Sequence, residues 1–183
     1  MTTKRPSAAA LLTVAALLSA CVSQSSYDQQ VKKANTYQQI DAQLKSEVAA
    51  EQAQITQLQN VVRVTLANGI LFPEGGWEPN AAGKATLSRL APVLRTLTGQ
   101  KIEVRGYTDN VPIGPELRVR FPSNVELSRA RAQSVADFLI AQGVPANIVT
   151  VGGFGDAQPA ASNDTAQGRA KNRRVVIDII ETR

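Results

Sequence analysis

The chain has 183 residues, a formal net charge of +5, a single Cys and no His. This composition excludes Ser-His-Asp triads, Cys-His dyads, His-ligated metal sites, intrachain disulfides and Cys-cluster zinc sites. The length suits one domain plus appendages.

At the N-terminus, Lys4 and Arg5 form a positive region, and Ala8 to Leu18 form an apolar run too short for a permanent membrane span, which needs ~20 apolar residues. Residues 1–20 therefore read as a secretory signal peptide. Its end, Leu18-Ser19-Ala20-Cys21, resembles the bacterial lipobox, L-[AS]-[GA]-C. That resemblance implies cleavage before Cys21 and acylation of its thiol, palmitate included. Acyl chains contribute ~0.8 kcal/mol per buried CH₂, enough together to hold a protein at a membrane surface. Val22 and Ser23, in place of the Asp that favours inner-membrane retention in such lipoproteins, imply a lipid anchor in the cell outer membrane with the head in the periplasm. Loss of Lys4 and Arg5 takes the net charge from +5 to +3. With 4% aromatic residues and scattered Arg, the chain lacks the basic, aromatic-interleaved stripe of a nucleic-acid module.

Residues 21–60 read as the lipidated Cys, a small polar linker and a helical stalk. From Tyr27 to Asn60 there is no Gly or Pro, and Leu44, Val48, Ile55, Leu58 and Val62 follow 4-7-3-4 spacing. The narrow stripe predicts a spacer, open to pairing as a weak coiled coil in a homodimer, or else a helix folded back on the head. Fully helical, about forty residues would reach roughly 60 Å at ~1.5 Å per residue.

Residues 61–183 form the head. Val62, Val64 and Leu66 alternate with polar residues in a strand closed by Asn68-Gly69. Pro79 to Thr98 is a helix with an apolar face of Leu87, Leu90, Ala91, Leu94 and Leu97. Ile102 and Val104 mark a second strand reaching Gly106, and a Pro-rich loop follows. Ser123 or Asn124 caps a helix whose inner face holds Leu127, Ala130 or Arg131, Ser134, Val135, Phe138 and Leu139. Ile148 to Val151 and Val175 to Ile180 are the last strands, separated by a loop or short helix. The order β-α-β-α-β-β predicts a two-layer α+β domain with a mixed four-stranded sheet and its helices on one side.

The segments Gly106-Tyr107-Thr108-Asp109-Asn110 and Asn124-Val125-Glu126-Leu127-Ser128-Arg129-Ala130-Arg131-Ala132 resemble the G-[HY]-T-D … N-x-x-L-S-x-x-R-A signature of the OmpA-like domain. Further on, Gly153-Phe154-Gly155-Asp156, Pro159, Asn163, Gly168-Arg169-Ala170 and Asn172-Arg173-Arg174-Val175 are similar to its closing blocks. The long loop looks most like the branch that includes flagellar motor protein B. That protein has a transmembrane helix where this chain has a cleavable signal, so the motor role does not transfer.

The resemblance implies non-covalent binding of peptidoglycan through the meso-diaminopimelate of its stem peptide, with Asp109 and Arg131 as the two key ligands. The chemistry is coherent, because the free end of diaminopimelate carries an ammonium and a carboxylate on one carbon. Asp109 can accept from the ammonium, and Arg131 can hold the carboxylate with two parallel N–H bonds. Thr108 and Asn124 are candidate secondary ligands or turn caps. Arg129, two positions from Arg131, should face solvent. Of the alternating Arg173 and Arg174, Arg173 is preferred at the pocket's border. Pro73-Glu74 replaces a common family acid, and whether Glu74 substitutes for it stays open. On spacing alone, Asp109 and Arg131 could equally form a salt bridge pinning the loop to the helix; a direct contact would favour that bridge, and an open gap the clamp.

The expected function is an outer-membrane lipoprotein linking membrane to wall. The alternative is an envelope assembly or scaffold lipoprotein whose head contacts other proteins. A wall hydrolase would need a metal triad, a nucleophile with its base, or paired carboxylates, and none is visible. No enzymatic activity, cofactor or metal is therefore expected.

Overall fold

Period-two alternation builds the sheet. In the computed structural model, which describes residues 24–182, β1 (Ala53–Gln57), β2 (Val61–Ala67), β3 (Gln100–Tyr107), β4 (Val149–Gly153) and β5 (Arg174–Glu181) form one mixed sheet in the order β1-β2-β5-β3-β4. Val62, Val64 and Leu66 of β2 point inward, as do Ile102 and Val104 of β3 and Val175, Ile177 and Ile179 of β5. Only β3 and β4 pair in parallel, and every other neighbour is antiparallel. A parallel pair needs a crossover, which α6 (Asn124–Ala141) supplies; α4 (Ala81–Arg95) carries the chain from β2 to β3 on the far side of β5. Both helices lie on the inner face, where Leu87, Leu90 and Leu94 meet Val135, Leu139 and the strand residues in one core.

The sheet has five strands rather than four, and the difference lies in the segment read as stalk. The helix begins as expected with α1 (Gln24–Gln43), breaks at Leu44 and continues as the short α2 (Lys45–Ala49). Glu51 then adopts φ 56°, and Ala53–Gln57 pairs with β2, joined to it through a tight turn in which the Leu58 amide donates to the Val61 carbonyl. A helix continuing to Asn60 is thus corrected. Val48, Ile55 and Leu58, which looked like one helical seam, fall on a helix end, a strand and a turn.

The chain folds back on the head from midway along α1. Ile40 and Leu44 are fully buried in the core, and Tyr37 packs against it. Lys33 donates to the carbonyls of Leu58 and Gln59. The buried Glu47 pairs with Arg89 of α4 and also accepts from Ser46. Of the residues read as one seam, Leu44 and Val62 are buried in the head and Ile55 packs against its core, while Val48 and Leu58 are exposed. A roughly 60 Å helical spacer is not formed, because the second half of α1 already packs on the head. The signal peptide and Cys21 lie outside the described residues. Among the described residues no helix is long and apolar enough to cross a membrane.

Three short helices complete the head: α3 (Asn68–Leu71), α5 (Pro115–Arg118) and α7 (Ala166–Asn172). A second, smaller apolar cluster joins the loop after α3 to the loop after β3. In it Ile113, Phe121 and Leu127 pack with Trp77, Leu117 and Ala130, and the Arg120 guanidinium stacks 4.5 Å from the centre of the Trp77 ring. This cluster fixes the two loops that wall the site.

Candidate functional site

The site forms where β3 ends, where α6 begins and where α7 hands over to β5. Two glycines let α6 lie directly on the sheet. A Cβ at Gly106 would stand 2.0 Å from the Ser128 carbonyl oxygen, and one at Gly153, its partner on β4, would stand 2.4–2.6 Å from the backbone and Cβ of Arg129. Ser128 is fully buried there and its hydroxyl accepts the Gly155 amide at 2.9 Å. With the first turns of α6 seated this way, Arg129 points to solvent and Arg131, two positions on, points inward, as its helical angle predicts.

Asp109 sits just past β3 and is nearly buried. Its Oδ1 accepts the Val111 amide at 3.1 Å, a local turn that holds the carboxylate in place. Its Oδ2 accepts from Arg173 Nη1 at 2.5 Å. Arg131 is only 7% exposed, and no ion pair joins it to Asp109 or to any other carboxylate among the described residues. Its Nε donates to the Gly76 carbonyl at 2.8 Å, and its guanidinium lies 5.6 Å from the centre of the Phe72 ring. Burial, and the neighbouring Arg173 cation, pull Arg131 down to about 10, with Asp109 opposing. It therefore remains charged at neutral pH, a buried cation whose guanidinium tip has no acid to meet. The direct Asp109–Arg131 salt bridge that spacing alone allowed is absent, and the acid's partner is Arg173.

The other residues singled out in the sequence divide by role. Asn124 opens α6, and its Nδ2 donates to the Val111 carbonyl at 3.0 Å and more weakly to that of Asp109 at 3.4 Å, so it ties the loop to the helix start. Ser123 caps the helix through the Val125 amide. Thr108 is buried and its amide bonds the Gly155 carbonyl at 2.7 Å, but its hydroxyl has no hydrogen-bond partner. Arg173 and Arg174 take opposite faces, Arg173 at Asp109 and Arg174 on the outer face, 3.9 Å from the centre of the Tyr107 ring. Asn172 of the same motif is structural. Fully buried, it bonds the backbone of Ala160 and Ala161 and the side chain of Asn163, bracing the loop before α7. Glu74 is exposed and makes no ion pair.

Three participants escaped the sequence. The Gly76 carbonyl and the Phe72 ring orient Arg131, and their role depends on how one loop folds against a helix some 55 residues away. Asn68, which had read as a turn residue, is buried with both side-chain polar atoms unpartnered, and its amide donates to the Arg173 carbonyl at 2.9 Å. The Asn-Gly pair signalled a turn, and nothing in its neighbours marked it as part of a site.

The OmpA family model matches residues 71–173, a stretch that contains Asp109, Arg131 and Arg173. The chain belongs to the OmpA family. Among its relatives, the probable lipoprotein YiaD of Escherichia coli is 35% identical over 76% of this chain and 60% of YiaD. The peptidoglycan-binding protein ArfA of Mycobacterium tuberculosis is 38% identical over 66% of this chain and 35% of ArfA, so the chain spans less than two thirds of either relative. Among solved structures, the cell wall anchor of the T6SS from Pseudomonas aeruginosa superposes with a TM-score of 0.70 at 34% identity, covering 78% of this chain and 96% of the anchor. A MotB-like protein from Desulfovibrio vulgaris, at a TM-score of 0.75 and 24% identity, covers 86% of this chain and 98% of its own and shares the fold. The head of this OmpA-family chain thus has the α+β fold that the order of its elements predicted.

Proposed function

We propose that this protein is an outer-membrane lipoprotein that grips peptidoglycan non-covalently through the meso-diaminopimelate of the stem peptide and so links membrane to wall. The observation that carries the reading is Arg131: a buried guanidinium with no carboxylate partner, beside an acid held in place by a turn and by Arg173. Burying a cation without a counter-charge costs stability, and a ligand carboxylate removes that cost. The ligand's ammonium completes the pair at Asp109. Relatives that bear the names of a peptidoglycan-binding protein and a cell wall anchor support binding to the wall. Each charge-assisted contact contributes ~1.5–3 kcal/mol net, so one head holds weakly and the lipid tether supplies effective concentration.

The test is sedimentation with purified sacculi. The protein should pellet with diaminopimelate-type walls and stay in solution with lysine-type walls, whose side chain ends in an ammonium without the carboxylate. Equal pelleting with both, or with neither, overturns the assignment. The lipid anchor rests on Leu18-Ser19-Ala20-Cys21 and on the kinship with YiaD. Cys21→Ser is expected to abolish labelling of the protein by radioactive palmitate in growing cells, and a variant labelled like the wild type would refute the anchor.

A further inference from the structure

The pairing of Asp109 with Arg173 raises a difficulty for a simple zwitterion clamp. Both oxygens of Asp109 are engaged, Oδ1 by the Val111 amide and Oδ2 by Arg173. A carboxylate has about four lone-pair sites, so a ligand ammonium can still join it. It then shares one acid with the Arg173 guanidinium, while Arg131 stands close enough for the two guanidinia to repel. Two arginines and one aspartate leave the site with one surplus positive charge. The side-chain end of diaminopimelate, an ammonium and a carboxylate, is neutral and leaves that surplus in place.

We propose that the pocket prefers a diaminopimelate whose main-chain carboxylate is also free, the last residue of a tripeptide stem, and that Arg173 is the residue that reads this second carboxylate. The inference rests on the wall-binding reading and narrows its ligand. With such a stem, three cations (Arg131, Arg173 and the diaminopimelate ammonium) meet three anions (Asp109 and the two carboxylates of diaminopimelate itself), the free α-carboxylate of the γ-linked glutamyl residue being common to every stem. Arg173 is suited to the exchange. Its side chain is 43% exposed, and among the described residues its one side-chain hydrogen bond is to Asp109. It can release the acid to the ammonium and turn to the second carboxylate without uncovering the core. Arg131 has no such freedom, held by the Gly76 carbonyl and packed near Phe72. The division of labour is a fixed arginine for the side-chain carboxylate and a mobile one for the chain-terminal carboxylate. A stem that ends at diaminopimelate is the product of a peptidase that removes the residue after it, so a carboxypeptidase-class reaction must supply this ligand.

The experiment is calorimetry with the full chain in detergent and three soluble stem peptides. These are L-alanyl-γ-D-glutamyl-meso-diaminopimelate, the same peptide extended by D-alanine, and the same tripeptide amidated at the main-chain carboxyl of diaminopimelate. The amide removes the charge and adds almost no bulk, which separates electrostatics from fit. The free tripeptide should bind about tenfold or more tightly than either of the others, and in Arg173→Gln that ratio should fall to about one. Equal affinity of the wild type for all three, or a preference that survives in Arg173→Gln, overturns the inference and leaves the wall-binding reading standing. If no stem peptide binds, both fall together.

Discussion

Arg131→Ala should cost about ten- to hundredfold in affinity for diaminopimelate-type sacculi and yet leave the fold as stable as before, or more so. The two halves of this expectation have one cause. Arg131 is a buried cation held down to about 10 by burial and by Arg173. Between about pH 10 and the ordinary guanidinium range the unfolded chain holds this proton and the folded chain does not, so stability gained from this group rises with pH across that window. At every pH below it, neutral pH included, the charge burdens the folded state. Removing it relieves that burden and offsets the loss of the bond to the Gly76 carbonyl. Asp109→Ala should lose binding too, but with the opposite effect on stability, lowering it by about 1–3 kcal/mol, because Val111 loses its turn acceptor and Arg173 the acid it pairs with. Sedimentation paired with thermal melts checks both. An Arg131→Ala variant that pellets like the wild type sinks the proposed site, and one that melts far below it makes Arg131 a structural residue.

Gly106→Ala is expected to be among the most damaging small substitutions in the head, costing about 3 kcal/mol or more. The new methyl would stand 2.0 Å from the Ser128 carbonyl oxygen, which is backbone and cannot swing aside. Either α6 lifts from the sheet or β3 bends, and both movements displace Asp109 relative to Arg131, because one lies just past β3 and the other about one turn beyond Ser128. Gly69→Ala is the control, since a Cβ there meets nothing within 4 Å and Gly69 lies in the short helix α3, where Ala is the better helix former. Circular dichroism melts should show a large fall for the first and little change or a gain for the second. A Gly106→Ala protein with wild-type stability would mean that the close seating of α6 does not position the site.

Much of this was legible locally. The alternation at residues 62–66 and 102–104 and the apolar faces of α4 and α6 each depend on neighbours a few positions away and lie where the pattern put them, and of the two candidate caps, Ser123 and Asn124, the structure uses Ser123. The opposite facing of Arg129 and Arg131 follows from helical angle alone, and that of Arg173 and Arg174 from the alternation of a strand. The segment from Val48 to Leu58 failed for an equally physical reason. A polar run without Gly or Pro satisfies helix statistics, but the free edge of β2 offered Ala53–Gln57 a ladder of backbone bonds, and strand preference depends on such context.

By itself, the sequence determined the order of the four strands and two long helices from β2 onward, and which charges are available at the site. The tertiary structure decided which charges meet. Asp109 and Arg173 are 64 residues apart and come together because β5 pairs with β3, bringing the residue before β5 beside the residues that follow β3. Arg131 was left without an acid because a loop carbonyl and an aromatic ring hold it apart from Asp109. Periodicity reports the direction in which a side chain leaves its own element; only packing between distant elements sets what it finds there.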